Sequence, residues 1–361
     1  MNLEDLLGRL HELEGSDLHL STGSAPRVRV HGELVSLELP PLHAHDTERL
    51  ALSVMTEEQR LSYSELGEVD FSFEVQGLAR FRANVFTQRG STAAVFRLIP
   101  FQIKRLRELR LPPVLERFSR RPHGLILAAG PTSCGKSTTL AALIDQINRK
   151  QAKHVITIED PIEFLHRHGT SIVNQREISS DTPSFTSALR MALREDPDVV
   201  LVGETRDPET ADATLRIAET GHLTFATLHT SFAPAPIHRL IDMFPPRQQP
   251  QARSVLALVL EGVICQLLIR RQDRSGQVAA TEILIPNLAI RNLIRENKVH
   301  QIYSAIQTGQ EKTGMLTMNQ SLRRLFLEGA IAPHDCHSNS PNPTELKDLV
   351  PPATGLGSST L

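Results

Sequence analysis

The sequence predicts an α/β domain preceded by a small α+β domain, and three observations carry that prediction. From about residue 114 onward, apolar runs of strand length (GLILAAG, HVITIE, DVVLVGE and LTFATLH) alternate with amphipathic helical patterns. Buried parallel strands joined by helical crossovers read in that way. Before that point the pattern differs: Val69, Phe71, Phe73 and Val75 alternate with polar residues, as a half-buried strand requires. The length of 361 residues is enough for two or three domains at roughly 100–200 residues each.

The first element is an acidic amphipathic helix, MNLEDLLGRLHELEG, without the basic start and small-residue cleavage site of a signal peptide. A cytoplasmic location is expected. Short extended runs follow at residues 26–31 and 68–75. Residues 79–86 form a strand with Phe81, Ala83 and Val85 on one face and Arg80, Arg82 and Asn84 on the other. A further strand over residues 91–99 carries Arg97 and is closed by Pro100. Residues 1–100 are thus the α+β domain, and the Arg-rich stretch 101–113, ending in Pro112 and Pro113, is a linker. Residues 114–332 make the α/β domain, with closing helices expected over 254–269, 287–296 and 319–328. Residues 333–361, dominated by Ser, Asn, Pro and Thr without periodicity, are expected to be a disordered tail.

Composition excludes several classes. Lys plus Arg number 39 against 41 Asp plus Glu, so no global basic field attracts nucleic acid. With no Trp and two Tyr there is no stacking platform either. Glu261 and Gln266 interrupt the longest apolar stretch, so no segment is expected to span a membrane. Three scattered cysteines, Cys134, Cys265 and Cys336, suggest neither a disulfide framework nor a zinc site.

The chemistry begins at Gly130–Ser137, GPTSCGKS, a match to G-x-x-x-x-G-K-[ST]. A strand pattern enters it and a helical pattern from Thr138 leaves it, the context that lets backbone N–H groups and a helix dipole face phosphates. Gly130, Pro131, Thr132, Ser133, Cys134, Gly135, Lys136, Ser137 and Thr138 are therefore candidate ATP-binding residues. Lys136 would reach the β- and γ-phosphates and Ser137 would be the Mg²⁺ ligand. The strand DVVLV ends in Gly203-Glu204, placing Glu204 to orient or deprotonate the attacking water. Glu159, Asp160 and Glu163 follow the strand HVITI and either hold the metal through water, orient the nucleophile or are solvated loop acids. His222 and His229 flank LTFATL and either sense the γ-phosphate or are structural. Arg80, Arg82 and Arg97 either lie on a solvated sheet face or complete a neighbour's site by stabilising transferring phosphoryl charge.

These segments together resemble the secretion-type ATPases that power type IV pili and type II secretion, close to their pilus retraction branch, the PilT family. LREDPDVVLVGETRDPETADA resembles the family's atypical Walker B signature, ITIEDPIEF its Asp box and GHLTFATLHT its His box. SDLHLSTGSAPRVRVHGEL, DFSFEV, ARFRANVF and AIRNLIRENKVHQIYSAIQTG extend the likeness to about residue 330. The resemblance implies a PAS-like N-terminal domain joined to a RecA-like ATPase core in a homohexamer. Such a ring hydrolyses ATP with Mg²⁺ and passes domain motion to an inner-membrane pilus platform protein, driving retraction and twitching motility. It would sit at the cytoplasmic side of the inner membrane, with a paralogous retraction ATPase as a further partner. The resemblance also implies Glu204 as catalytic carboxylate and Glu163, His222 and His229 as Asp- and His-box groups, with Arg82 and Arg97 as arginine contacts.

The chain departs from the pattern at Ser133, Cys134 and Thr205, where the family favours Gly, Ser and an aliphatic residue. A glycine in such a loop often serves a positive φ, which serine tolerates poorly, so reduced turnover is expected. These changes motivate an alternative reading, a nucleotide-binding accessory subunit beside an active paralogue. The chain lacks the long N-terminal region and four-cysteine zinc motif of the assembly ATPases, which favours retraction.

Overall fold

The structure, a computed structural model, describes residues 2–30, 32–99, 102–273 and 276–346. The chain divides into two units. Met1–Gln102 with Glu163–Leu165 form the first, and Ile103–Ile162 with the chain from His166 onward form the second.

The first unit begins with α1 (Leu3–Glu12), whose N-cap Asn2 accepts the Asp5 backbone N–H at 2.7 Å. Leu3, Leu6, Leu7 and Leu10 make its buried stripe, each contributing on the order of 2 kcal/mol by burial. The strands β1 (Asp17–Leu20), β2 (Arg27–Val30) and β3 (Glu33–Ser36) precede α2 (Ala44–Leu52) and α3 (Glu57–Leu66). A Thr56–Gln59 capping box starts α3. Then come β4 (Glu68–Val75), β5 (Ala79–Gln88) and β6 (Ser91–Ile99). The six strands form one sheet in the order β3-β2-β1-β6-β5-β4, antiparallel throughout. In β5, Phe81, Ala83 and Val85 are buried while Arg80 and Arg82 face the other way, as the alternation predicts. Pro100, expected to close β6, lies outside the described residues.

The second unit carries a seven-stranded sheet. Its strands are β7 (Gly124–Ala129), β8 (His154–Glu159), β9 (Ile172–Glu177), β10 (Val199–Val202), β11 (Leu223–Leu228), β12 (Leu260–Arg270) and β13 (Gln277–Leu284). The order is β13-β12-β7-β11-β10-β8-β9, parallel except for β13. The helix α4 (Lys136–Lys150) covers one face with Leu140, Leu143, Ile144 and Ile147. On the other face pack α5 (Phe185–Ala192), α6 (Pro208–Glu219), α7 (Pro234–Asp242) and α8 (Gln249–Val259). Alternate residues of one strand enter different cores: Ile126 and Ala128 join the α4 side, Leu125 and Leu127 the other. Burial on both faces is why these strands read as unbroken apolar runs.

Beyond the sheet lie α9 (Leu288–Arg295), α10 (Ile302–Thr313), α11 (Met318–Leu327), α12 (Pro333–Ser338) and α13 (Pro343–Leu346). Buried Glu282 of β13 accepts the backbone N–H of Ala233, before α7, and of Met318, starting α11, the latter at 3.0 Å. Burial pushes its carboxyl above the usual range despite those donors.

Three expectations are corrected. The helix predicted over 254–269 ends at Val259, and Leu260–Arg270 is the long strand β12 between β7 and β13. A run apolar on every side fits a buried strand as well as a buried helix, so period alone cannot separate them. The second unit begins at Ile103, and Leu106 and Leu111 of the expected linker are buried in its core. Part of the expected disordered tail is also helical. Cys336 of α12 and Leu346 of α13 are fully buried against Met318 and Leu322 of α11, because those few apolar residues find a complementary helix face. The rest of that tail, residues 347–361, lies outside the described residues.

The two polar residues that interrupt the long apolar run are both satisfied. Glu261 pairs with Arg291 of α9 at 2.7 Å and with Arg121 at 3.1 Å, next to a bulge where β12 shifts register on β7. Gln266 points to the α4 side, at the mouth of the phosphate loop.

Candidate nucleotide site

The loop 130–135 joins the carboxyl end of β7 to the first turn of α4, the edge of a parallel sheet where ligands bind. Its shape depends on close packing against β12. A Cβ on Gly130 would lie 2.4 Å from the Gln266 carbonyl oxygen and 2.5 Å from Cys134 Sγ. Ser133 sits at φ 61°, the left-handed region, so serine occupies a conformation suited to glycine, as the departure from the pattern implied. Lys136 is buried, its Nζ donating to the carbonyls of Gly130 at 2.9 Å and Pro131 at 2.8 Å. Burial pushes the Cys134 thiol up, although the Lys136 ammonium opposes this. Ser137 and Thr138 are half-buried in the first turn of α4, and Pro131, Thr132 and Ser133 are exposed.

Next to β7 in the sheet is β11 and next to that β10, so their carboxyl ends share the same edge. There Glu204 and His229 meet, with His229 Nε2 2.6 Å from Glu204 Oε1. The same carboxylate pairs with Arg206. Burial alone would raise the Glu204 carboxyl, but Arg206 and His229 together hold it below its ordinary range, so it is ionised. Gly203 explains itself by crowding. A Cβ there would lie 3.0 Å from both the Ile158 carbonyl oxygen and Glu159 Cα, so any side chain at this position would have to push the β8 backbone back.

The remaining candidates make other contacts. Glu159 ends β8 but turns its carboxylate to the Thr157 hydroxyl at 2.6 Å and the Gln175 amide at 3.2 Å. Glu163 is exposed and groups with the first unit rather than with the loop. His222 is the clear correction. It precedes β11 at the amino end, its Nδ1 donating to the Ile217 carbonyl and lying beside the Thr220 hydroxyl, each 3.1 Å away. Six residues of strand, about 20 Å at ~3.3 Å per residue, separate it from the phosphate-loop edge. Two histidines flanking one extended strand necessarily lie at opposite ends of it, so His222 does not share the phosphate-loop edge of its own unit.

Arg82 and Arg97 belong to the first unit and are direct cross-strand partners on β5 and β6. Arg82 Nε reaches both oxygens of Asp70, at 2.9 and 3.1 Å, and Arg97 Nε reaches Asp17 at 2.8 Å. Burial would raise the Asp17 carboxyl, but the Ser16 hydroxyl and Arg97 hold it low. The pairing lets two like charges stand side by side.

Sequence reasoning missed Arg206 and Gln266. Arg206 lay within the quoted GETRD segment, and Gln266 had been noted only as a break in an apolar run. Among the described residues no group of three or more His, Cys, Asp or Glu is placed to hold a metal ion. A Mg²⁺ held by one hydroxyl, phosphate oxygens and water needs no such cage, and the half-buried Ser137 hydroxyl fits that donor set.

Residues 12–329 match the family model of the type II/IV secretion system proteins. The chain is 49% identical over 317 residues to the twitching motility protein of Neisseria gonorrhoeae, covering 88% of this chain and 84% of that one. It is 48% identical over 332 residues to the type IV pilus retractation ATPase PilT of Pseudomonas aeruginosa, covering 92% and 96%. The crystal structure of the pilus retraction motor PilT with bound ADP superposes with a TM-score of 0.91 at 50% identity, covering 96% of this chain and 99% of that one. These likenesses favour the hydrolysing reading over the accessory subunit. The chain belongs to the type II/IV secretion system ATPases and, within them, to the PilT family.

Proposed function

We propose that this chain is an ATP-hydrolysing motor of type IV pilus retraction, and the observation that carries the proposal is the Glu204–His229–Arg206 cluster at the same sheet edge as the phosphate loop. The loop N–H groups and the α4 amino terminus bind the phosphates, and Lys136 exchanges its loop carbonyls for phosphate oxygens. Mg²⁺, when bound through Ser137, neutralises charge on the phosphate oxygens. Glu204, held ionised, accepts a hydrogen bond from the attacking water and orients it, while His229 fixes the carboxylate.

The assembly is a homohexamer whose sites are composite, with Arg82 and Arg97 of a neighbour's PAS-like unit stabilising charge on the transferring phosphoryl group. Asp70 and Asp17 hold the two guanidinium groups through their Nε atoms. The ring works at the cytoplasmic side of the inner membrane on a pilus platform protein, beside a paralogous retraction ATPase. Among the described residues no helix is long and apolar enough to cross a membrane.

Steady-state ATPase rate against protein concentration tests the composite site: a steep rise is expected, and a lone protomer with full activity refutes it. Lys136→Ala and Glu204→Gln are each expected to lower turnover at least 100-fold; wild-type turnover in both removes the assigned residues.

A further inference from the structure

Gln266 is a buried carboxamide on an otherwise apolar stretch of β12, in contact with both α4 and the phosphate loop. Its Nε2 donates to the Cys134 carbonyl at 2.8 Å, and its Oε1 accepts from the Thr139 hydroxyl at 2.8 Å. The carbonyl can only accept, so the amide nitrogen must face the loop, and the Thr139 hydroxyl locks that orientation from the first turn of α4. The bond acts on the peptide joining Cys134 to Gly135. In a planar trans peptide the C=O and the following N–H point in opposite directions. Tethering the Cys134 carbonyl to β12 therefore turns the Gly135 N–H away from β12, toward the inside of the loop, where anion-binding N–H groups converge.

We infer that Gln266 is a positioning residue for nucleotide binding, setting the direction of a phosphate-binding N–H by holding the carbonyl behind it. The inference rests on reading residues 130–137 as the phosphate site. Two features make an outside tether necessary. Ser133, immediately before Cys134, sits at φ 61° where glycine would be at ease, so the loop's own backbone preference opposes its shape. The Gln266 backbone carbonyl is also packed where a Cβ on Gly130 would lie, so the same residue braces both ends of the loop. A buried amide in this place is otherwise unfavourable, since an aliphatic side chain would fill β12 without needing hydrogen-bond partners.

The test uses full-length Gln266→Met, which keeps the volume and removes both bonds, and Gln266→Glu, which keeps the acceptor for Thr139 but loses the donor to Cys134. Dissociation constants for ADP and for inorganic pyrophosphate are measured by calorimetry, with Tm and ATPase kinetics. Both variants are expected to weaken ADP and pyrophosphate by the same factor, about tenfold for one lost buried hydrogen bond. KM for ATP rises similarly while kcat stays within about twofold. A folded Gln266→Met that binds both ligands like the wild type, or whose kcat falls at unchanged KM, overturns the positioning role. Should neither Gln266 variant fold, Thr139→Val carries the test, because it frees the carboxamide without altering β12; a loss of several-fold for both ligands is expected, and wild-type affinities overturn the inference. Wild-type protein that binds neither ligand overturns the phosphate-loop reading itself, and the inference with it.

Discussion

His229 Nε2 lies 2.6 Å from Glu204 Oε1 because β11 and β10 are parallel neighbours in register, each delivering a side chain just past its carboxyl end. The histidine and Arg206 share one carboxylate, which keeps it charged inside a partly closed setting. A carboxylate so held is a better hydrogen-bond acceptor for water than a proton sink.

The same geometry predicts an acid-side signature. The folded Glu204 carboxyl titrates below its ordinary value of 4.5. Its stabilisation is therefore present above that value and is lost as pH falls through the lower folded one. The Tm difference between wild type and Glu204→Gln is expected to be full at neutral pH and to vanish in strong acid. A difference that persists unchanged to acid unfolding contradicts the ion-pair account.

Ser133 offers a gain. Replacing it with glycine relieves the left-handed strain at φ 61°, worth up to about 1 kcal/mol after the entropy of the added glycine is counted. Ser133→Gly is expected to raise Tm slightly and to raise ATPase turnover. Lower turnover in the glycine variant would show that the serine side chain itself has a use.

Gly203 is expected to tolerate nothing larger. The Cβ of Gly203→Ala meets backbone atoms of β8 at 3.0 Å, which cannot move independently. A loss of about 1–3 kcal/mol follows, with a fall in turnover because Glu204 is the next residue. Thermal melting and ATPase assays check both, and an unaffected variant would mean the strands part easily.

The helix α9, which begins one residue before AIRNLIRENK, carries residues of two kinds. Arg291 NH1 caps the end of α8 at the Ala257 and Leu258 carbonyls, and NH2 pairs with Glu261, so Arg291→Ala should cost about 1–3 kcal/mol. Leu288 is 82% exposed on the same helix. Leu288→Ser is expected to leave Tm and ATPase activity unchanged and to reduce twitching motility in cells. Loss of ATPase activity in that variant would place this exposed end of α9 in hydrolysis instead of in work on the pilus.

Much of the site was legible from residues alone. GPTSCGKS between a strand and a helix marked the loop between β7 and α4, and Glu204 after DVVLV marked a carboxylate at the same sheet edge, because both positions depend on local order along the chain. The strained Ser133 was legible for the same reason: the requirement for positive φ is a property of the loop. His222 was misplaced because reading LTFATL as one strand did not settle which of its ends faces the phosphates. The strand β12 was misread as a helix because burial on both faces erases the period that separates the two.

By itself the sequence determined the two-part organisation, the phosphate loop with its departures, the ionisable groups available and the family, since all of these are written in contiguous segments. Tertiary structure alone decided the rest: that Arg206 and His229 converge on Glu204, that Gly203 is glycine to let two strands touch, that Asp70 and Asp17 neutralise Arg82 and Arg97, and that Gln266 reaches the loop. The physical reason is that hydrogen bonds and steric contacts act over a few ångströms between strands whose adjacency in the sheet is not their order in the chain.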